Sequence, residues 1–230
     1  MTLSASRQKA KRPWPAGFLL DLDGTLIDSA ADIAAAANHG LQQHGLPSLP
    51  QAKMRQMIGK GMRNLVTTAI EAGGGKADAA MVESVYKAAR AAALEVVVAD
   101  ARIYDGVIAF LASARQHGCR LGVVTNKPQP LTDLIIEHFH PQLTMDIVIG
   151  ASDALPLKPA PDMLHKAMES LSITAEDTVM VGDSINDIAA AEAAGVFSVV
   201  IRGGYSAIPV EAMAAGMIAD DFFQLGNCFA

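Results

Sequence analysis

Residues 18–29 read Phe-Leu-Leu-Asp-Leu-Asp-Gly-Thr-Leu-Ile-Asp-Ser, an apolar run that stops at two carboxylates and a glycine. The run predicts a strand near 18–21, and alternation along it sends Asp21 and Asp23 the same way while Gly24 permits a tight turn. Two carboxylates that close repel each other unless a cation or a shared proton relieves them. A solvated Asp-Gly turn has the same residues, so this stretch alone leaves a chemical and a purely local reading open.

Further apolar runs, each followed by turn residues and a helical pattern, predict strands near 121–125, 147–149, 178–181 and 198–201. Helical spacing fits 107–117, 131–139, 162–171 and 186–194. Continuous apolar strands alternating with helices indicate an α/β fold, a doubly wound parallel sheet covered on both faces. In such sheets ligands gather at the carboxyl ends of the strands. The stretch 30–100 breaks the alternation: 30–44, 52–58, 62–72 and 78–95 all carry helical spacing, separated by turn residues at 45–50, 59–61 and 73–75. The expected organisation is a core of 1–29 and 101–230 with a small α-helical cap, 30–100, inserted into it.

Length and composition agree with that division. At roughly 150 residues per domain, 230 residues suit one core with a modest insertion. The chain is 51% hydrophobic, but 41 of its residues are alanine, which favours helix over bulky core. No apolar run approaches the roughly 20 residues that span a bilayer, and the first 17 residues lack the apolar segment of a secretory signal, so a cytoplasmic protein without membrane contact is expected. The formal charge is −6. Arg7, Lys9, Lys11 and Arg12 sit in the first dozen positions, and the remaining chain carries 14 basic against 24 acidic residues. Such an acidic body argues against nucleic acid as a partner. Two cysteines, Cys119 and Cys228, are too few for a disulfide framework or a zinc site, and His138 and His140, two apart, suit no helical metal pair.

Polar residues recur where strands end. Thr125 and Asn126 follow the second strand, with Lys127-Pro128 closing it; a hydroxyl and an amide there can bind a phosphoryl oxygen or cap a helix. Lys158 lies in Leu-Lys-Pro-Ala-Pro-Asp (157–162), its loop stiffened by two prolines. Val-Gly-Asp-Ser-Ile-Asn-Asp (181–187) carries Asp183 and Asp187 through a turn into a helix, where Asp183 or Ser184 can also serve as a cap. Each signal is modest alone. Their coincidence, in this order and all at strand ends, points to one site.

The stretches DLDGTLIDS (21–29), VVTNK (123–127), LKPAPDML (157–164) and VGDSINDIAAAEAAG (181–195) resemble the four motifs of the haloacid dehalogenase superfamily, specifically its phosphatases. The helical insert falls between the first two motifs, as in members with a small helical cap. Gly204-Tyr205 and Ala219-Asp220 extend the likeness to the phosphoglycolate phosphatases; Asp105 stands where many relatives have proline.

The resemblance implies a Rossmann-type core, a phosphomonoester hydrolase and a small phosphorylated metabolite as its partner, 2-phosphoglycolate foremost. It implies Asp21 as nucleophile, Asp23 as acid and base, and Mg2+ held by Asp21, the backbone carbonyl of Asp23 and Asp183. Gly24, Thr125, Asn126 and Lys158 are expected at the phosphoryl group, with Thr125 and Lys158 catalytic, and Asp187 and Ser184 one layer out, Asp187 orienting ligands or pairing with Lys158. In the cap, Lys60 and Arg63 are the cations expected near a substrate carboxylate; two ordinary exposed cations at a helix start are the alternative. A phosphomutase of the β-phosphoglucomutase type, or a phosphatase for pyrophosphate, sugar phosphates or nucleotides, would use the same core. A monomer and a homodimer are equally compatible with the cap's apolar residues.

Overall fold

The computed structural model describes residues 11–96 and 98–230; Arg7 and Lys9 of the basic tail lie outside them. Strands β1 (Gly17–Leu20), β4 (Arg120–Pro128), β5 (Ile147–Ala151), β6 (Thr178–Gly182), β7 (Phe197–Ile201) and β8 (Met217–Ala219) form a six-stranded sheet in the order β5-β4-β1-β6-β7-β8. Every neighbouring pair is parallel. The fold is therefore α/β, as the apolar runs predict, and β1 lies at the centre of the sheet.

Alternation along β1 shows how both faces are filled. Phe18 and Leu20 pack on one side with Phe110 and Leu111 of α5 (Val107–Gln116), Leu131 and Ile135 of α6 (Gln129–His138), and Phe222 and Leu225 of α9 (Phe222–Asn227). Leu19 packs on the other with Met163 and Leu164 of α7 (Asp162–Leu171) and Ala190 and Ala191 of α8 (Ile185–Ala193). A strand buried on both faces is apolar at every position, which is why β1 reads as a run without alternation.

Of the five helices between the first two strands of the main sheet, four form a separate layer: α1 (Ala30–Gln43), α2 (Gln51–Arg55), α3 (Met62–Ala72) and α4 (Ala79–Val96). They share an apolar cluster that includes Leu41, Met54, Leu65, Ile70 and Val85. The chain enters and leaves this layer at adjacent points. There β2 (Ile27–Asp28) pairs antiparallel with β3 (Arg102–Ile103), and the Asp32 carboxylate accepts the backbone N–H groups of Asp100 and Ala101 at 2.9 and 3.0 Å.

Five described elements escape the sequence reading, one of them a single 3-10 turn at Val210–Ala212. β2, β3 and β8 hold two or three residues each, too few for a period, and α9 follows β8 after only two residues. The second strand also outruns its predicted end: β4 continues to Pro128, with its register against β5 shifting between Val124 and Pro128. No described helix is long and apolar enough to cross a membrane.

Candidate active site

The carboxyl ends of β1, β4 and β6 meet beneath the helical layer. Asp21 follows β1 directly, and its backbone N–H donates to the Val181 carbonyl of β6 at 2.9 Å. Gly24 turns the chain at φ +84°, and a Cβ there would stand 2.5 Å from Asp183 Oδ2. Asp183 leaves β6 with Oδ2 accepting the Tyr205 N–H at 2.6 Å. Gly204 is required as well, since its Cβ would fall 2.2 Å from that of Asp183. Two glycines far apart in the chain thus make room for one carboxylate.

Lys158 is the electrostatic centre. Its ammonium donates to Asp21 Oδ1 at 2.9 Å, Asp187 Oδ1 at 2.6 Å and the Val124 carbonyl at 2.7 Å, which occupies its three hydrogens. Burial pulls the ammonium's pKa down, yet Asp187 and Asp21 outweigh that pull and leave it raised. Asp187 is fixed from its other side: Oδ2 accepts the backbone N–H and hydroxyl of Ser184, in a capping box that starts α8.

One lysine does not balance this site. Asp21, Asp183 and Asp187 are all buried, each with a carboxylate oxygen within 4.8 Å of the others. Burial pushes the Asp21 carboxyl up to about 6 against the pull of Lys158, with repulsion from Asp187 and Asp23 adding to the rise. Burial and repulsion from Asp187 and Asp21 hold Asp183 well above the usual carboxylate range. Three carboxylates and one ammonium leave two negative charges, and a set made only of oxygen donors suits a hard divalent cation such as magnesium.

Beside this cluster lies a half-open cavity of about 50 Å³. Asp21, Asp23, Thr125, Lys127 and Lys158 line its floor, and Ile33, Ile58, Met62 and Leu65 come down from the helical layer. The Gly59 carbonyl of that layer accepts from the side-chain amides of Asn126 and Asn186 at 3.2 and 3.1 Å.

The sequence reading needs three corrections. The Asn126 side chain is not free for a phosphoryl oxygen: Oδ1 accepts the Lys158 N–H, and Nδ2 donates to the Lys158 and Gly59 carbonyls. It clamps the lysine loop to β4 instead. Arg63 turns away, pairing with Glu83 at 2.8 Å over the ring of Tyr86. Lys60 is exposed, and both cations line a neighbouring groove of about 290 Å³ rather than the cavity beside Asp21.

Two residues given no role by the sequence reading also belong to the site. Lys127, its side chain only 6% exposed, sets its ammonium 3.1 Å from both carboxylate oxygens of Asp23. Tyr205 holds Asp183 through its backbone, while its hydroxyl accepts the Ser29 N–H at 2.6 Å and donates to Asp28 Oδ1 at 2.9 Å. The Ser29 hydroxyl in turn donates to Asp23. Asp23 therefore faces Lys127 and Ser29, outside the three-carboxylate cluster.

Comparison with known proteins matches residues 18–201 to the haloacid dehalogenase-like hydrolase family. The chain is 36% identical over 219 residues to a phosphoglycolate phosphatase of Rhodospirillum rubrum, covering 93% of this chain and 90% of that one. A phosphoglycolate phosphatase of Xanthomonas campestris is 36% identical over 192 residues, with 84% and 85% covered. Among solved structures, a predicted phosphoglycolate phosphatase from Haemophilus somnus matches with a TM-score of 0.83 at 26% identity, over 91% of this chain and 96% of that one.

Proposed function

The chain belongs to the haloacid dehalogenase-like hydrolase family, and from that premise we propose that it is a magnesium-dependent phosphomonoester hydrolase whose substrate is 2-phosphoglycolate or a similarly small phosphorylated metabolite. The observation that carries this reading is the buried convergence of Asp21, Asp183 and Asp187 around one lysine, beside a cavity of small volume. The similarity to phosphoglycolate phosphatases over nine-tenths of the chain supports the substrate.

The division of labour follows from position. An Asp21 carboxylate oxygen attacks phosphorus in line while the bond from phosphorus to the ester oxygen breaks, leaving an aspartyl-phosphate. Asp23, on the cavity side of the turn, donates its proton to the departing oxygen, so the product leaves as an alcohol. Asp23 then accepts a proton from water as the water oxygen attacks phosphorus and the bond to Asp21 breaks, which restores both carboxyl groups. Lys158 neutralises charge at Asp21, and the Thr125 hydroxyl sits where it can donate to a phosphoryl oxygen. Asp21, Asp183 and the backbone carbonyl of Asp23 would hold magnesium, which when bound supplies positive charge to phosphoryl oxygens. Residues 30–100 serve as the cap over a core of 1–29 and 101–230, excluding water through Ile33, Ile58, Met62 and Leu65.

The test is phosphate release with and without magnesium over a panel of 2-phosphoglycolate, pyrophosphate, sugar phosphates and nucleotides. The expected result is magnesium-dependent release with the highest kcat/KM on 2-phosphoglycolate. Release that requires a bisphosphate activator, or that is greatest on nucleotides, contradicts the proposal.

A further inference from the structure

We propose that Lys127 is the residue that reads the substrate's leaving group, binding a carboxylate carried next to the ester oxygen and so selecting anionic phosphoesters over neutral ones. This rests on the phosphatase reading above and names the part of the site that sets its substrate class.

Three observations point to it. Among the described residues, the cations that line the half-open cavity are Lys127 and Lys158. Lys158 has no hydrogen left to offer, since Asp21, Asp187 and the Val124 carbonyl take all three. Lys127 meets only the Asp23 carboxylate, with its ammonium equidistant from the two oxygens. It is the cation of the cavity with a donor to spare.

Its position is also on the correct side. Asp23 is the acid that protonates the ester oxygen, so a cation beside Asp23 lies on the leaving-group side of phosphorus, opposite the Asp21 and Lys158 side. In 2-phosphoglycolate the carboxylate carbon is two bonds from that ester oxygen, which keeps it on the Asp23 side of phosphorus rather than toward the outer groove. Lys60 and Arg63 line that outer groove, and Arg63 is already paired with Glu83. Desolvation adds weight to a charge-assisted bond here, because the ammonium is nearly buried and its surroundings include Ile58, Met62 and Leu65. A neutral alkyl group in the same place leaves the bond unmade.

The experiment compares kcat/KM on 2-phosphoglycolate and on ethyl phosphate, which keeps the ester and lacks the carboxylate, in wild type, Lys127→Met and the double variant Lys60→Ala/Arg63→Ala. Wild type should prefer 2-phosphoglycolate, and Lys127→Met should cut that preference by about a hundredfold, mainly through KM. The double variant should shift it less than about threefold. If Lys127→Met does not fold, the same ratio is read in Lys127→Gln. Equal losses on both substrates overturn the assignment, because Lys127 would then act only through Asp23. A preference that survives Lys127→Met, or that falls with Lys60 and Arg63, overturns it too while leaving 2-phosphoglycolate as substrate. A wild type with no preference overturns both this inference and the substrate reading beneath it.

Discussion

Lys158 shows why the site can exist before it holds a metal. With its ammonium in place the repulsion between Asp21 and Asp187 is bridged; without it two buried carboxylates face each other. Removing one member of a buried charge cluster typically costs about 3–5 kcal/mol. Lys158→Met should therefore lower the metal-free unfolding free energy in urea by about that amount. A loss below about 1 kcal/mol would place the lysine in a far wetter site than the structure gives it. At this scale much was legible in the sequence: Asp21 and Asp183 directly follow strands, Asp23 and Asp187 come within a few residues of them, Thr125 ends an apolar run, and two prolines mark the loop of Lys158. Lys127 does not stand out, since a lysine before proline reads as punctuation and its partner Asp23 is 104 residues away. Arg63 misleads for a related reason: the Glu83 that claims it is on another helix, 20 residues on, and spacing within α3 carries no trace of that.

Elements are legible where they are long. β1 and β6 are continuous apolar runs because helices cover both their faces, and the helices that cover them carry the 3.6-residue period. β2, β3 and β8 have no period to read, and pairing alone defines them. Within the helical layer, α1 and α4 approach closely at Gly40, where a Cβ would lie 2.8 Å from the Val85 carbonyl oxygen and 3.0 Å from Ala89 Cβ. Alanine normally improves a helix by about 1 kcal/mol over glycine, so the sequence on its own favours the replacement. Packing reverses the sign: the obstructing atoms are backbone and a methyl on a rigid helix, and overfilling such a contact costs about 1–3 kcal/mol. Gly40→Ala should lower the Tm, and a raised Tm would show that the two helices separate readily.

Across the whole molecule the helical layer is tied to the sheet by Arg55. Its guanidinium reaches Asp28 at 3.3 Å, donates to the Gly203 and Gly204 carbonyls at 3.0 and 3.4 Å, and lies over the Tyr205 ring. Asp28 is opposed by partial burial, but the Tyr205 hydroxyl, the Ala30 N–H and Arg55 hold its carboxyl below the usual range. Because that pKa is lowered on folding, the tie is fully present above the ordinary carboxylate range and is lost only as pH falls through the lower, folded value. Arg55→Ala should therefore raise KM for anionic and neutral phosphoesters by the same factor, several-fold, and by the same factor at every pH from 5 to 8. A change in selectivity between the two would mean that Arg55 touches substrate. None of this tie was visible in the sequence, where Arg55 is one of several cations on helices.

The excess acid of the whole chain was visible, but its meaning was not until Asp21, Asp183 and Asp187 were seen to converge from strand ends more than 160 residues apart in sequence. The claim on which everything else depends is that Asp21 carries the phosphoryl group. It is tested most directly by acid-quenching the enzyme during turnover of 2-phosphoglycolate with magnesium and mapping phosphorylation by peptide mass. The expected result is an acid-stable, base-labile phosphoryl adduct on the peptide containing Asp21, with the adduct and turnover both lost in Asp21→Asn. Steady-state hydrolysis by Asp21→Asn at a rate near wild type, or an adduct on any other residue, would contradict it.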